Sequence, residues 1–470
     1  FWNGRCIFDR EHYSYVVVDW RGFYESRVAP GAGARSRRGE DGYDVVEWIA
    51  QQPWSNGRLG TWGPSALGKI QFMTAIERPP HLVCCVPIVA ANGFSYDDFF
   101  ANGVRREAHV NDLERLGFGQ FADRPIMASP TLLFRFLSRL PDRVERINVP
   151  MLMITGWYDH GVAQQLRTFR DLRTRAGPTT RANTKLLIGP WHHSAIGQAQ
   201  QGALRYDGAK GESDRAAMLF FDYWLRDQKA NGWAEVPSFR WWQINEGKWF
   251  GAERVAGPET SDTILYLHAD GVISAEKPAA DERALSFTDD PNDPVPTIGG
   301  ANLPGGKHGL LAGPRDQRPL EDRDDVLVYT TRPMQEPLRA FGSVSLRFSF
   351  SVDAEDAAFA VRLSEVYPDG RSMLICDSIT RARYRNGPEQ AAPVEPGIVY
   401  GASVVLPPTA LTIQPGRRLR VSISGSDYPR FQLNDHSGAD AYAADRARPA
   451  MCTIFHDEAR PATLTVPILR

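Results

Sequence analysis

The chain has 470 residues, 42% of them hydrophobic, with 54 Lys and Arg against 56 Asp and Glu for a formal net charge of -2. That length exceeds what one hydrophobic core sustains, so two domains are expected, and the balanced, interspersed charge excludes partners that need a basic surface, nucleic acid and anionic membrane among them. Five cysteines (Cys6, Cys84, Cys85, Cys376 and Cys452) without Cys-x-x-Cys spacing exclude a disulfide scaffold or zinc ribbon, and the longest apolar runs, such as 82–91, are too short to span a bilayer.

In chain order, residues 15–19 read as a buried parallel strand and 42–51 as a helix with Val45, Val46 and Ile49 on one face. Residues 59–62 read as a strand entering a turn at Ser65, followed by a helical run at 70–76. Segments 82–90, 150–156 and 184–189 read as three further parallel strands, so that strands and helices alternate as in βαβ units. Between 96 and 149 the strand signal fails, and helical patterns such as 132–140 predict a short cap over the sheet. Residues 213–229 close this part as an amphipathic helix burying Ala217, Phe220, Phe221, Trp224 and Leu225. After about 232 the texture changes to short alternating segments at 264–268, 326–330, 343–349, 359–366, 402–406, 418–424 and 463–468, with Gly, Pro and Asp clusters between them. Such spacing predicts an antiparallel sandwich or jelly roll, with 288–323 as a long surface excursion.

Three short segments carry the chemistry. Gly-Pro-Ser-Ala-Leu-Gly at 63–68 places Ser65 in a strand-to-helix turn, where Gly63 and Gly68 relieve crowding. The second glycine stands at plus three, with Leu67 in the more usual plus-two place, and a serine flanked by glycines is also an ordinary turn. Gly-Trp-Tyr-Asp at 156–159 offers Asp159 just past a strand, either as a carboxylate that orients a histidine or as a helix cap. Gly-Pro-Trp-His-His-Ser at 189–194 offers His192 and His193, of which only one can reach Ser65. All three segments follow predicted parallel strands, where open α/β sheets place their sites, and the order nucleophile, acid, base is that of an α/β-hydrolase. Trp62, Trp157, Tyr158 and Trp191 flank these loops and are expected either to line an aromatic pocket or to pack in the core.

These residues resemble the cocaine esterase and X-Pro dipeptidyl-peptidase group of α/β-hydrolases, with α-amino-acid ester hydrolases and glutaryl acylases as relatives. The resemblance runs through Val-Val-Asp-Trp-Arg-Gly at 17–22, the segments 43–54 and 220–226, the three motifs above, and 290–297, 313–319, 367–372 and 428–431. It implies Ser65 as nucleophile, Asp159 as acid, and His193 as base, two places after Trp191, with His192 in a variable position. It also implies a catalytic α/β-hydrolase domain over 1–232, with its cap at about 96–149, and a jelly-roll domain over 233–470. The implied reaction cleaves a small-molecule ester or acyl amide through an acyl-Ser65 intermediate, with no metal and no organic cofactor. The backbone N–H of Ala66 would serve the oxyanion hole, although this chain has Ala66 where the group usually has Tyr.

The group's other oxyanion donor, a tyrosine, would precede Phe1. If 15–19 is the fourth strand of the usual sheet, three strands are expected upstream, with a gap beside the strand that carries Ser65. The chain is therefore expected to be a piece of a longer protein. Asp97, Asp98, Asp112 and Glu114 in the cap are available to bind a substrate amino group, although such residues are commonly solvated surface. A peptidase of the X-Pro type and a catalytically impaired binding module are the alternatives to an esterase. A metal-dependent hydrolase on Asp159, His160, His192 and His193 would need convergent ligands, and the chain has no His-Glu-x-x-His pair. Sparse cysteines and no signal-like opening segment point to the cytoplasm, and self-association is left open.

Overall fold

The computed structural model describes residues 7–29, 37–118, 125–255 and 257–470, so Cys6 lies outside the described residues. Continuous apolar runs have no polar face for water, and here they become strands covered on both sides. Strands β1 (Leu59–Pro64), β2 (Leu82–Ile88), β3 (Leu152–Tyr158), β4 (Lys185–His192), β5 (Phe239–Gln243) and β6 (Lys248–Ala252) form one sheet in that order. The first five are parallel and β6 returns antiparallel to β5. Two of its strands thus come from beyond residue 232.

The helices that cover this sheet are α1 (Arg38–Ala50), which buries Val46 and Ile49 with Val45 half-buried, and α2 (Ala66–Glu77). After β3 come α5 (Val162–Thr174) and α6 (Pro178–Asn183), then α7 (Glu212–Leu225), whose Ala217, Phe220 and Phe221 are buried. The cap contributes α3 (Glu107–Leu113) and α4 (Pro130–Leu137) around a small core of its own that includes Tyr96, Phe99, Phe100 and Leu133. Among the described residues no helix is long and apolar enough to cross a membrane.

Residues 15–19 depart from expectation. They form no strand, and Val16, Val17 and Val18 are exposed, Val17 at 71%. A β-branched run becomes a strand only where a neighbour offers its backbone. Among the described residues β1 pairs with β2 alone, and a groove of about 780 Å³ separates its other edge from 15–19. Tyr13, Val16, Val18, Trp62 and Phe221 line that groove.

The remaining strands make a large, mainly antiparallel sheet. The predicted alternating segments appear within it as Thr260–Leu267, Leu327–Thr331, Ser345–Val352, Ala358–Val366, Tyr400–Val405, Arg418–Ser424 and Ala462–Leu469. The stretch 288–323 is not a surface excursion: Val295 and Leu320 are buried at 1% exposure and pack with Val326. The β domain locks to the parallel sheet through the Ile244 N–H, which donates to the Ala410 carbonyl at 2.9 Å, and through Gln243 Nε2, which donates to Thr412 Oγ1 at 3.1 Å. It also holds the cap, because the Ala108 N–H donates to the Pro429 carbonyl at 3.1 Å, and Ala101 and Val104 pack with Ala358, Ala360 and Phe431.

Candidate active site

Ser65 stands between the last residue of β1 and the first of α2, with φ 57° and ψ −120°. Few non-glycine residues adopt that conformation, and it costs on the order of 1–3 kcal/mol unless neighbours enforce it. Here the Ser65 N–H donates to the Ile88 carbonyl at 2.8 Å, while the Ser65 carbonyl accepts from the Gly68 and Lys69 N–H groups, both at 2.9 Å. The flanking glycines make the turn possible. A Cβ on Gly63, whose φ is +153°, would meet Leu67 Cβ at 2.7 Å, and one on Gly68 would meet Ala90 Cβ at 2.5 Å.

Asp159 follows β3 and is 1% exposed. Its Oδ1 accepts from the Gly161 N–H at 2.8 Å and from Gln165 Nε2 at 2.7 Å, and its Oδ2 lies 2.6 Å from His193 Nδ1. His193 follows β4 and is itself 8% exposed. The two strands run in register through Gly156 and Gly189, then slip by a residue before Tyr158 pairs with His192. Trp191 crosses over at that slip. A Cβ on Gly156 would lie 2.0 Å from the Trp191 carbonyl oxygen, and one on Gly189 2.3 Å from the Trp191 ring. Both motif glycines therefore serve the crossing that brings His193 to Asp159.

Asp159 and His193 are joined, and Ser65 sits at the same carboxyl edge of the sheet, on a strand separated from β3 by β2 alone. Among the described residues no hydrogen bond links Ser65 to His193. Catalytic hydrogen bonds of this kind are often long before substrate binds.

Of the four aromatic residues, three belong to the core, which corrects the pocket expectation. Trp157 donates from Nε1 to the Trp242 carbonyl at 2.8 Å and meets Phe341 edge-on; the Tyr158 and Tyr206 hydroxyls are 3.2 Å apart; Trp191 is fully buried beside Trp249. Trp62 is half-buried along the groove beside β1. Of the cap carboxylates, Asp97 pairs with Arg167 at 2.6 Å and Asp98 with Lys69 at 3.8 Å. Glu114 lies 3.9 Å from Arg105.

Sequence reasoning missed a stack of histidines. The His160 ring lies 4.6 Å from that of His193 on one side and 4.6 Å from that of His109, on α3, on the other. Adjacency to Asp159 was a signal for His160, whereas nothing in the cap marked His109. Burial, followed by the neighbouring His193, pushes the His160 pKa well below its ordinary value, and burial with nearby Arg106 pushes His109 down to about 3. Donor atoms of Asp159, His160 and His193 all lie within 4.8 Å of one another, which is the convergence a metal site requires. The 2.6 Å contact between Asp159 and His193 is a shared-proton distance, so these two donors are satisfied by each other.

His192 points elsewhere. Its N–H donates to Gln201 Oε1 at 2.9 Å, and burial plus His193 push its pKa down to about 4, so it is neutral near pH 7. Replacing His192 with Ala is expected to change kcat on an activated ester less than about tenfold, whereas His193→Ala should lower it at least about 100-fold. Equal losses in the two variants would assign the base wrongly.

The description "X-Pro dipeptidyl-peptidase (S15 family)" matches residues 8–132 and 135–195, and "X-Pro dipeptidyl-peptidase C-terminal non-catalytic domain" matches 231–465. Cocaine esterase from Rhodococcus sp. (strain MB1 Bresler) is 28% identical over 531 residues, covering 98% of this chain and 89% of the relative. Among solved structures, an aminopeptidase from a marine-sediment Thaumarchaeota archaeon superposes with a TM-score of 0.78 at 23% identity, covering 92% of this chain and 80% of the other. An α-amino acid ester hydrolase superposes at 0.74 and 21%, with the same coverages. The two likenesses carry the fold: a parallel α/β-hydrolase sheet followed by a β domain. The chain belongs to the X-Pro dipeptidyl-peptidase (S15) family and is a serine hydrolase.

Proposed function

We propose that Ser65, Asp159 and His193 form the catalytic triad of an enzyme that cleaves carboxylic esters or acyl amides of small molecules. The buried 2.6 Å contact between Asp159 Oδ2 and His193 Nδ1 carries this reading. It keeps the Nδ1 proton on the Asp159 side and leaves Nε2 as the lone-pair nitrogen, the tautomer a general base needs. His193 takes the Ser65 proton as Oγ attacks the carbonyl, then delivers it to the leaving alcohol or amine. Water, deprotonated by the same imidazole, releases the acyl group from Ser65. Asp159 stabilises the transient imidazolium. Ala66 opens α2, where a backbone N–H has no acceptor within its own helix, and it donates to the oxyanion.

Esters are favoured over peptides because the cap is short and the 28%-identical relative is an esterase. Residues 1–232 carry the catalysis and 233–470 form the β domain that braces the cap. The described cysteines, Cys84, Cys85, Cys376 and Cys452, are all buried and unpaired, in keeping with a cytoplasmic location.

Labelling with an uncharged fluorophosphonate tests the nucleophile. Wild-type protein is expected to label stoichiometrically, and Ser65→Ala to lose all labelling while keeping its melting temperature. A folded wild type that does not label would move the reading to a binding module.

A further inference from the structure

Arg106 precedes α3, and its Nε is buried with no hydrogen-bond partner. Among the described residues no ion pair includes it. A guanidinium withdrawn from water without an anion is costly, and it usually marks a site where an anion binds. The surrounding charges are already matched. Arg430 is held by Asp377, Asp97 by Arg167, and Asp98 by Lys69. Asp112 accepts from the Lys307 N–H at 3.2 Å and lies 3.7 Å from Arg115.

Arg106 lines a cavity of about 20 Å³ together with His109, Asp112, His160, Asn302 and Arg430. Its size suits one water-sized or carboxylate-sized group. A second orphan faces the same space, since His160 Nδ1 is also buried without a partner. Both histidines are kept neutral by burial, so each can offer an N–H without adding a like charge beside the guanidinium. The cavity begins one imidazole beyond His193, because the His160 ring stacks 4.6 Å from it.

From this geometry, and resting on the triad reading above, we infer that Arg106, with His160 and His109, binds a free carboxylate on the substrate. The enzyme therefore selects esters or amides that carry a second, ionised acid group. Because His193 protonates the leaving group, the carboxylate belongs foremost to the leaving alcohol or amine.

Two ester pairs test this. Butyrate esters of 3-hydroxybenzoate and 3-hydroxybenzamide differ only in a charge on the leaving group. The 4-nitrophenyl esters of a carboxyl-terminated acyl chain and of its uncharged amide differ only in a charge on the acyl side. In at least one pair, wild-type kcat/KM is expected to favour the charged member, and Arg106→Gln to reduce that ratio about 10- to 100-fold, with Arg106→Lys recovering part of it. The pair that responds tells which side of the scissile bond lies in the cavity. A charged-to-uncharged ratio that Arg106→Gln leaves unchanged in both pairs overturns the subsite.

Binding is read separately by thermal shift. The product 3-hydroxybenzoate, but not 3-hydroxybenzamide, should raise the melting temperature of wild type and not of Arg106→Gln. If that shift occurs in a protein that hydrolyses neither pair, the subsite stands and the triad reading fails. If sodium chloride gives the same Arg106-dependent shift while ester selectivity ignores Arg106, the cavity holds a resident inorganic anion and the substrate assignment is overturned.

Discussion

Asp159→Asn is expected to lower kcat on an activated ester about 10,000-fold, with little loss of folded protein. The reason lies in how the carboxylate is held. Its Oδ1 already accepts two donors, the Gly161 N–H at 2.8 Å and Gln165 Nε2 at 2.7 Å. An asparagine in the same place must turn its carbonyl oxygen toward those donors. Its amide nitrogen then faces His193 Nδ1, at the position where Oδ2 stands 2.6 Å away in the native protein. That nitrogen donates, so Nδ1 must accept, and the imidazole proton moves to Nε2. The base then presents an N–H to Ser65 instead of a lone pair. Folding should survive because the two bonds to Oδ1 and the packing are kept. The check is kcat with melting temperature measured on the same preparation. A loss smaller than about tenfold would show that Asp159 does not set the tautomer.

The parallel sheet was legible because its strands advertise themselves. The apolar runs around Cys84 and Cys85, Met151–Ile154 and Leu186–Ile188 have no polar face, and each ends in a glycine, proline or aspartate that turns the chain. The acid and base were legible for the same reason: Asp159 and His193 are the first polar residues after such runs. Residues 15–19 carry the same apolar signature yet stay out of the sheet. Periodicity reports what a segment could bury, and it is silent on whether a neighbouring strand offers its backbone. The aromatic residues failed differently. Trp157, Tyr158 and Trp191 adjoin the functional residues in sequence, but strand alternation and the slip between β3 and β4 turn them into the core. Arg106 and His109 were illegible because their meaning arises only when cap, sheet and β domain meet around one cavity. No local pattern encodes a contact between residues some two hundred positions apart, such as that of Asn111 on α3 with His308.

Gly156→Ala is expected to destabilise the protein by about 4 kcal/mol or more, which places it among the rare severe single substitutions. The methyl group would sit 2.0 Å from the Trp191 carbonyl oxygen, 2.6 Å from its carbonyl carbon and 2.9 Å from its Cα. All three are backbone atoms, so no rotamer change relieves the clash, and β4 itself must move. β4 is pinned between β3 and β5, with Leu186, Leu187 and Ile188 each at most 2% exposed. Displacement of Trp191 also carries His193 away from Asp159, so activity should fall in the fraction that still folds. Gly401→Ala is the matched control. That residue lies on the exposed side of the strand Tyr400–Val405, and a Cβ there meets nothing within 4 Å. Its substitution should stay within about 0.5 kcal/mol of wild type, or stabilise slightly by restricting the unfolded chain. Chemical denaturation of the two variants beside wild type decides the matter. A Gly156→Ala protein within about 1 kcal/mol of the Gly401→Ala control would mean that the strands part easily at the slip, and that the Gly-Trp-Tyr-Asp glycine is not what holds base and acid together.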